Sequence, residues 1–211
     1  MSTWTTIENE IIALLDDASF EVTGSKYTYL MAWGNRVIQD IARRVSVPNL
    51  LTSADLTAFT TSDYYQPLPA NFMKTGRETM VYVGDSAIKQ ISIGELEAYD
   101  ANHSETITSI IPAYAAIQEP NLYVYPMFAG TVKLHNYYRV PATITAGSDA
   151  PDLTETNIVH DMIVNGVCRH GFKWLNEIEL MQLCESDYEK YLRAYEINLY
   201  ANQFNRQSIP A

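Results

Sequence analysis

Cysteine is nearly missing from this chain: Cys168 and Cys184 are the only two in 211 residues. That excludes the disulfide framework that holds small secreted domains together, and points to folding in a reducing compartment. Long apolar runs are missing too, so no segment reads as a bilayer span and no membrane partner is expected. Met1-Ser2-Thr3-Trp4 has no basic flank and no apolar stretch behind it, so it is not read as a secretory signal. Basic residues are scarce. Fourteen Lys and Arg stand against 25 Asp and Glu, a formal charge of −11. Such a chain does not wrap nucleic acid, because phosphate affinity comes from clustered Lys and Arg. The basic residues that do cluster, Arg36, Arg43 and Arg44, fall on one predicted helix. The acidity is spread along the chain. Its plain reading is solubility, and its sharper one a surface that lets DNA pass without holding it.

Catalytic motifs are absent as well. No Gly-rich phosphate loop, nucleophile elbow or HExxH occurs. Of the four histidines, His103 and His135 belong to no motif. His160 lies ten residues before His170, about three helical turns away, so the two cannot share an ion. Cys168-Arg169-His170 with Cys184 is the best metal candidate, but two buried thiols and one core histidine explain it more simply. Asp16-Asp17 and the pair Glu177 and Glu179 cannot do acid–base work locally, since neighbouring or two-apart helical positions do not face each other. The chain is therefore read as a non-enzyme, with no catalytic residue, no metal and no cofactor.

What is present is helical pattern at both ends. Thr5 and Glu8 have capping-box spacing ahead of Ile7, Ile11, Leu14 and Leu15. Leu30, Met31, Gly34, Val37, Ile38, Ile41 and Val45 form a second stripe that stops before Pro48. Thr156 or Asn157 is placed to cap a third helix, with Val159, Met162, Ile163, Gly166, Val167, His170 and Trp174 on one face. Gly166 there lets another helix come close. Met181, Cys184, Tyr188, Tyr191, Leu192, Tyr195 and Leu199 mark the last helix.

Between these ends the period changes. Strands are expected at 63–69, 79–83, 87–91, 113–118, 121–125 and 131–138, with Gly84-Asp85 as a tight hairpin turn and a helical turn at 95–99. The fold class that follows is α+β, mainly α: a helical bundle built from both chain ends, with a small antiparallel β-sheet or sandwich inserted. Its parts are N-terminal helices over 1–56, a β-rich insertion over 57–145, a C-terminal helix pair over 146–201, and a polar, flexible tail over 202–211.

Tyrosine is the conspicuous residue, with 15 copies. Its rigid ring and polar tip suit interfaces. Neighbours on a strand point to opposite faces, so the doublets Tyr64-Tyr65 and Tyr137-Tyr138 are candidates for contacts between subunits. In the tail, Phe204 and Ile209 are spaced like two anchors around Arg206. With Tyr195 and Tyr200 they make a candidate docking set.

Short phrases in a fixed order then carry a resemblance. Leu68-Pro69-Ala70-Asn71-Phe72-Met73-Lys74 is similar to a proline corner after a first strand. Leu122-Tyr123-Val124-Tyr125-Pro126, Gly130-Thr131-Val132 and Tyr137-Tyr138-Arg139-Val140-Pro141 resemble a paired-strand phrase, and Asp152-Leu153-Thr154 leads into the closing helices. Together they resemble the head-to-tail adaptor, or head-completion, proteins of tailed bacteriophages over nearly the whole chain. The resemblance implies a non-enzymatic virion protein made in the host cytoplasm. It implies a ring, usually of twelve copies, beneath the portal protein, with a tail or nozzle protein below and DNA passing through the lumen unbound. It carries over no docking residue, because the family's docking residues are not a fixed motif. The rival readings are another neck or tail subunit, such as a tail terminator or tube protein, or a small bacterial α+β enzyme or ligand-binding domain. The first rival predicts a strand-dominated chain. The second predicts a deep pocket with several perturbed titratable groups.

Overall fold

The computed structural model describes residues 2–15, 25–99, 111–154, 156 and 158–207, with side chains at all of these but 25–27 and 202–207. They fall into two units, Met1–Leu50 with Val140–Ala211, and Leu51–Arg139.

The first unit is helical: α1 (Trp4–Leu15), α2 (Ser25–Arg44), α4 (Val159–Leu175) and α5 (Ile178–Gln207). α4 packs against the other three. Its apolar stripe at Val159, Met162, Ile163 and Val167 is buried, as the three-four spacing requires. Gly166 lies on that stripe, and a Cβ there would come 2.6 Å from Val37 of α2 and 3.1 Å from the Tyr188 ring of α5. The missing side chain is what lets three helices converge. Asn176, in the left-handed region at φ 63°, ends α4, and α5 begins two residues later.

Two helix starts differ from expectation. α1 begins at Trp4, not at a Thr5–Glu8 capping box. The N–H groups of Trp4 and Thr5 donate instead to the Asp149 and Gly147 carbonyls, so a distant turn supplies the cap. At α4 the N-cap is Ile158, with no side-chain cap bond. Asn157, one of the two expected caps, lies outside the described residues.

The second unit corrects the expected fold class. It is no small antiparallel insertion in a mainly helical bundle but an 8-stranded sheet. The strands are β1 (Leu51–Asp55), β2 (Tyr65–Pro67), β3 (Phe72–Lys74), β4 (Met80–Val83), β5 (Ser86–Gln90), β6 (Tyr114–Gln118), β7 (Asn121–Tyr125) and β8 (Lys133–Arg139), with helix α3 (Ile93–Tyr99) after β5. Their order is β1-β8-β4-β5-β6-β7-β2, and β3 also pairs with β8. All neighbours are antiparallel except β5 and β6, which run parallel across the α3 connection. Sequence pattern passed over β1 and β3. Both are short, and pairing with β8, far along the chain, is what makes them strands.

β8 organises this sheet. β1 takes one of its edges, while β4 and β3 follow one another along the other edge. Asn136 sits at φ 55° where Thr52 and Ala54 of β1 face Tyr137 and Leu134, so β8 carries one extra residue. That bulge turns both Leu134 and Tyr137 into the core beside Val81, Ile88, Ala115, Leu122, Val124, Phe128 and Val132. No helix among the described residues is long and apolar enough to cross a membrane.

Candidate interaction surfaces

The core of the β unit claims one face of β6 and β7, through Ala115, Leu122 and Val124. The other face is tyrosine. Tyr114 pairs with Tyr125 and Tyr123 with Tyr65, and residues directly opposite each other share a face. Tyr99 of α3 stacks on Tyr114 at 4.7 Å between centroids and on Tyr125 at 6.0 Å. Tyr64 and Tyr65 both lean on Tyr123, at 5.5 and 5.6 Å. Lys89 places its ammonium 5.8 Å from the Tyr114 ring. Tyr65 and Tyr99 are each 53% exposed. A pavement of rigid amphipathic rings is thus half open, the composition that protein interfaces favour.

Local polar bonds hold this pavement. The Asp63 carboxylate accepts from the Thr60 N–H at 2.7 Å and from the Gln66 side chain at 3.2 Å, which fixes the turn before Tyr64-Tyr65. Those bonds hold its pKa below the usual aspartate value. Ser92 and Glu95 form a reciprocal capping box at the start of α3, with Glu95 accepting from the Ser92 N–H and hydroxyl at 2.8 Å. Glu95 is likewise shifted down, chiefly by the Ser92 N–H. Tyr99, at the far end of α3, titrates higher than usual because it bonds Tyr114.

The expected contact residues are distributed unevenly. Tyr65 is exposed and Tyr64 half-buried, both at the open edge of this pavement. Tyr137 and Tyr138 are buried in their own unit. Tyr137 stacks on Phe72 and donates to Asn71 at 2.9 Å, and Tyr138 lies under the Lys74 ammonium. Tyr137 faces the core of the sheet, and Tyr138, on the opposite face, is covered by Lys74 and Gly76. Tyr99, Tyr114, Tyr123 and Tyr125 were missed. Tyr123 and Tyr125 alternate on a strand and could have been found, but only pairing brings the other two beside them.

On α5, Tyr195 is fully buried and donates to the Thr154 carbonyl at 2.9 Å. Burial pushes its pKa up to about 12. It belongs to the core of the helical unit and offers no surface for docking. Tyr200 is 43% exposed, and Ile197, one turn earlier, 67%. Phe204 and Arg206 continue α5, their side chains outside the described ones, and Ile209 lies outside the described residues. The helix therefore runs on through Gln207, into the segment expected to be a flexible tail. No proline falls within this helix.

The metal candidate does not assemble as the sequence suggested. Cys168 meets Cys184, while His170, two residues on, stacks on Trp33 at 6.2 Å, where burial lowers its pKa. Among the described residues, Glu10, His160 and Asp161 bring ligand atoms close enough for an ion. There His160 Nε2 and the Glu10 carboxylate already share a 2.6 Å hydrogen bond that ties α4 to α1. Val45, Ser46, Glu196, Leu199 and Tyr200 line a dent of about 170 Å³ including open solvent, below the few hundred typical of ligand sites.

A protein-family model described as SU10 adaptor protein matches residues 2–208. No curated protein matches the sequence.

Proposed function

The chain belongs to the SU10 adaptor protein family of phage head-to-tail adaptors, and from that premise we propose that it forms a ring under the portal. As an adaptor it is a structural protein of the virion neck that meets portal and tail proteins. In the proposed ring, twelve copies extend the DNA channel, help retain the packaged genome and present the tail with its attachment surface. The observation that carries the reading is a family match running nearly end to end.

Two surfaces have the chemistry for the contacts a ring needs. Neighbouring copies meet through the tyrosine pavement, with Tyr64 and Tyr65 at its open edge. The portal takes the C-terminal face of α5, where Ile197 and Tyr200 are exposed, together with Phe204, Arg206 and Ile209, which follow in the sequence. The role asks for no catalysis and no cofactor. At −11 per chain a ring repels itself at low salt, so closure needs the portal as template. The same charge keeps DNA sliding through the lumen.

Mixing the purified chain with portal rings tests this. The chain alone should sediment as a monomer or weak oligomer and assemble only on the portal. A stable ring in dilute low-salt buffer without portal, or no binding to portal at all, would overturn it. Particle reconstruction then gives the copy number directly.

A further inference from the structure

α4 and α5 form a hairpin that turns at Asn176, with Cys168 and Cys184 eight residues to either side. Two contacts set the hairpin's register. The Arg169 guanidinium donates to the Glu185 carboxylate at 2.9 Å, and a Cβ on Gly166 would lie 3.1 Å from the Tyr188 ring. Residue 169 is therefore level with 185, and 166 with 188. Stepping back one residue on each of two antiparallel helices turns both side chains to the same side of the seam and offsets them by only about 3 Å along it, so 168 lies beside 184. Cys168 is fully buried there and Cys184 only partly.

We propose that Cys168 and Cys184 are a redox pair, which a peroxide closes into a disulfide across the α4–α5 hairpin and a thiol reductant reopens. The two sulfurs divide the labour. The Cys168 thiol donates to the Cys184 sulfur, which raises the titration of Cys168 and lowers that of Cys184. Burial adds to the first shift and, with Asp187, opposes the second. The sulfur nearer solvent is thus the better thiolate, and a thiolate is the nucleophile.

The chemistry balances with hydrogen peroxide as oxidant. The Cys184 sulfur attacks one peroxide oxygen, the O–O bond breaks, and the second oxygen leaves as water after taking a proton. Cys184 is then a sulfenic acid, oxidised by two electrons. The Cys168 sulfur attacks it, the S–O bond breaks and the S–S bond forms. The Cys168 proton leaves with the hydroxide as a second water. Two thiols and one peroxide become one disulfide and two waters.

In the cytoplasm the glutathione and thioredoxin systems keep the pair open, and outside a cell it can stay closed. The loop closed from 168 to 184 is short, and a cross-link of that length limits the unfolded chain enough to raise a melting midpoint by about 6–12 °C. The inference needs only this hairpin and does not rest on the adaptor reading.

The test uses the purified full-length chain and hydrogen peroxide. Intact mass should fall by about 2 Da as both thiols vanish together from a dithiobis-nitrobenzoate assay, and dithiothreitol should restore both. Peptide mapping should find 168 joined to 184. In Cys168→Ser, Cys184 should stop as a sulfenic acid that dimedone traps. In Cys184→Ser, Cys168 should resist peroxide until the protein is unfolded. Mass gain by whole oxygens without a cross-link in the native chain would overturn the pair, as would covalent dimers or loss of the Cys168 thiol from Cys184→Ser at the native rate. Mapping of the native chain decides alone if either variant fails to fold.

Discussion

Tyr188 of α5 donates its hydroxyl to the Asp40 carboxylate of α2 at 2.7 Å, beside the position where α4 carries Gly166 in place of a side chain. Arg169 lies over the same ring at 4.4 Å, and Arg44 binds Glu189 through two 2.6 Å hydrogen bonds. A fully buried phenol beside a carboxylate titrates well above the usual tyrosine range, first because of burial and then because of the bond to Asp40.

Tyr188→Phe should cost about 1.5–3 kcal/mol, the range for a hydrogen bond to a charged group, since among the described residues Asp40 keeps only cations at 3.7 and 3.9 Å. Gly166→Ala should also destabilise. Its methyl meets Val37, and overpacking of about 1–3 kcal/mol exceeds the roughly 1 kcal/mol that alanine gains over glycine in a helix. Denaturant unfolding of both variants checks this, and a stabilised Gly166→Ala would refute the close approach.

Glu8 is buried on α1, its Oε1 has no hydrogen-bond partner among the described residues, and burial raises its pKa above the usual 4.5. A raised folded pKa means the folded chain holds the proton more tightly. The contribution is fully present below pH 4.5 and is lost as pH rises through the folded value. Glu8→Gln should therefore melt higher than the parent at pH 8, with the difference shrinking as pH falls towards 4.5. Melting curves across that window decide it, and equal midpoints at every pH would mean the carboxyl is solvated.

Asn136 holds the β8 bulge at positive φ, a conformation asparagine and glycine tolerate and β-branched residues do not. Asn136→Gly should be close to neutral. Asn136→Val should destabilise the β unit by about 1–3 kcal/mol. Hydrogen exchange at β8 amides reads the effect directly, and equal protection in both variants would remove the bulge from the account.

Tyr65→Ala and Tyr200→Ala remove exposed rings, so stability should stay within about 0.5 kcal/mol of the parent. Tyr65→Ala should weaken assembly between copies, and Tyr200→Ala attachment to the portal. Tyr195→Phe should do the reverse: it loses a buried bond to Thr154 worth about 1 kcal/mol and leaves attachment intact. Pull-down on portal rings, run beside melting curves, separates the two behaviours.

Deleting residues 202–211 should leave most of the fold standing while abolishing portal attachment. Among the described residues the cut removes only the last turns of α5, beyond Leu199, the last buried apolar residue described on that helix. Infectivity complementation is the measurement. Particles should fill with DNA and fail to keep it, and full rescue would place docking elsewhere.

Helix positions were legible because each helix buries a stripe whose 3.6-residue period lies in adjacent residues. The stripes from Leu30 to Val45 and from Met181 to Leu199 needed no partner to be seen. The hairpin at Gly84-Asp85 was equally local, since the glycine takes the positive φ that the turn demands. The sequence by itself also determined the charge, the lack of a local catalytic motif and, through the order of its short phrases, the family. Tertiary structure alone decided the rest. β1 and β3 become strands only when β8 pairs with them, and the parallel step between β5 and β6 joins segments on either side of α3. Pairing, not composition, gathers Tyr65, Tyr99, Tyr114, Tyr123 and Tyr125 on one face, while Lys74 and Gly76 cover Tyr138 on the face opposite Tyr137. Such relations join residues distant in the chain, and each position's own neighbours carry no record of them.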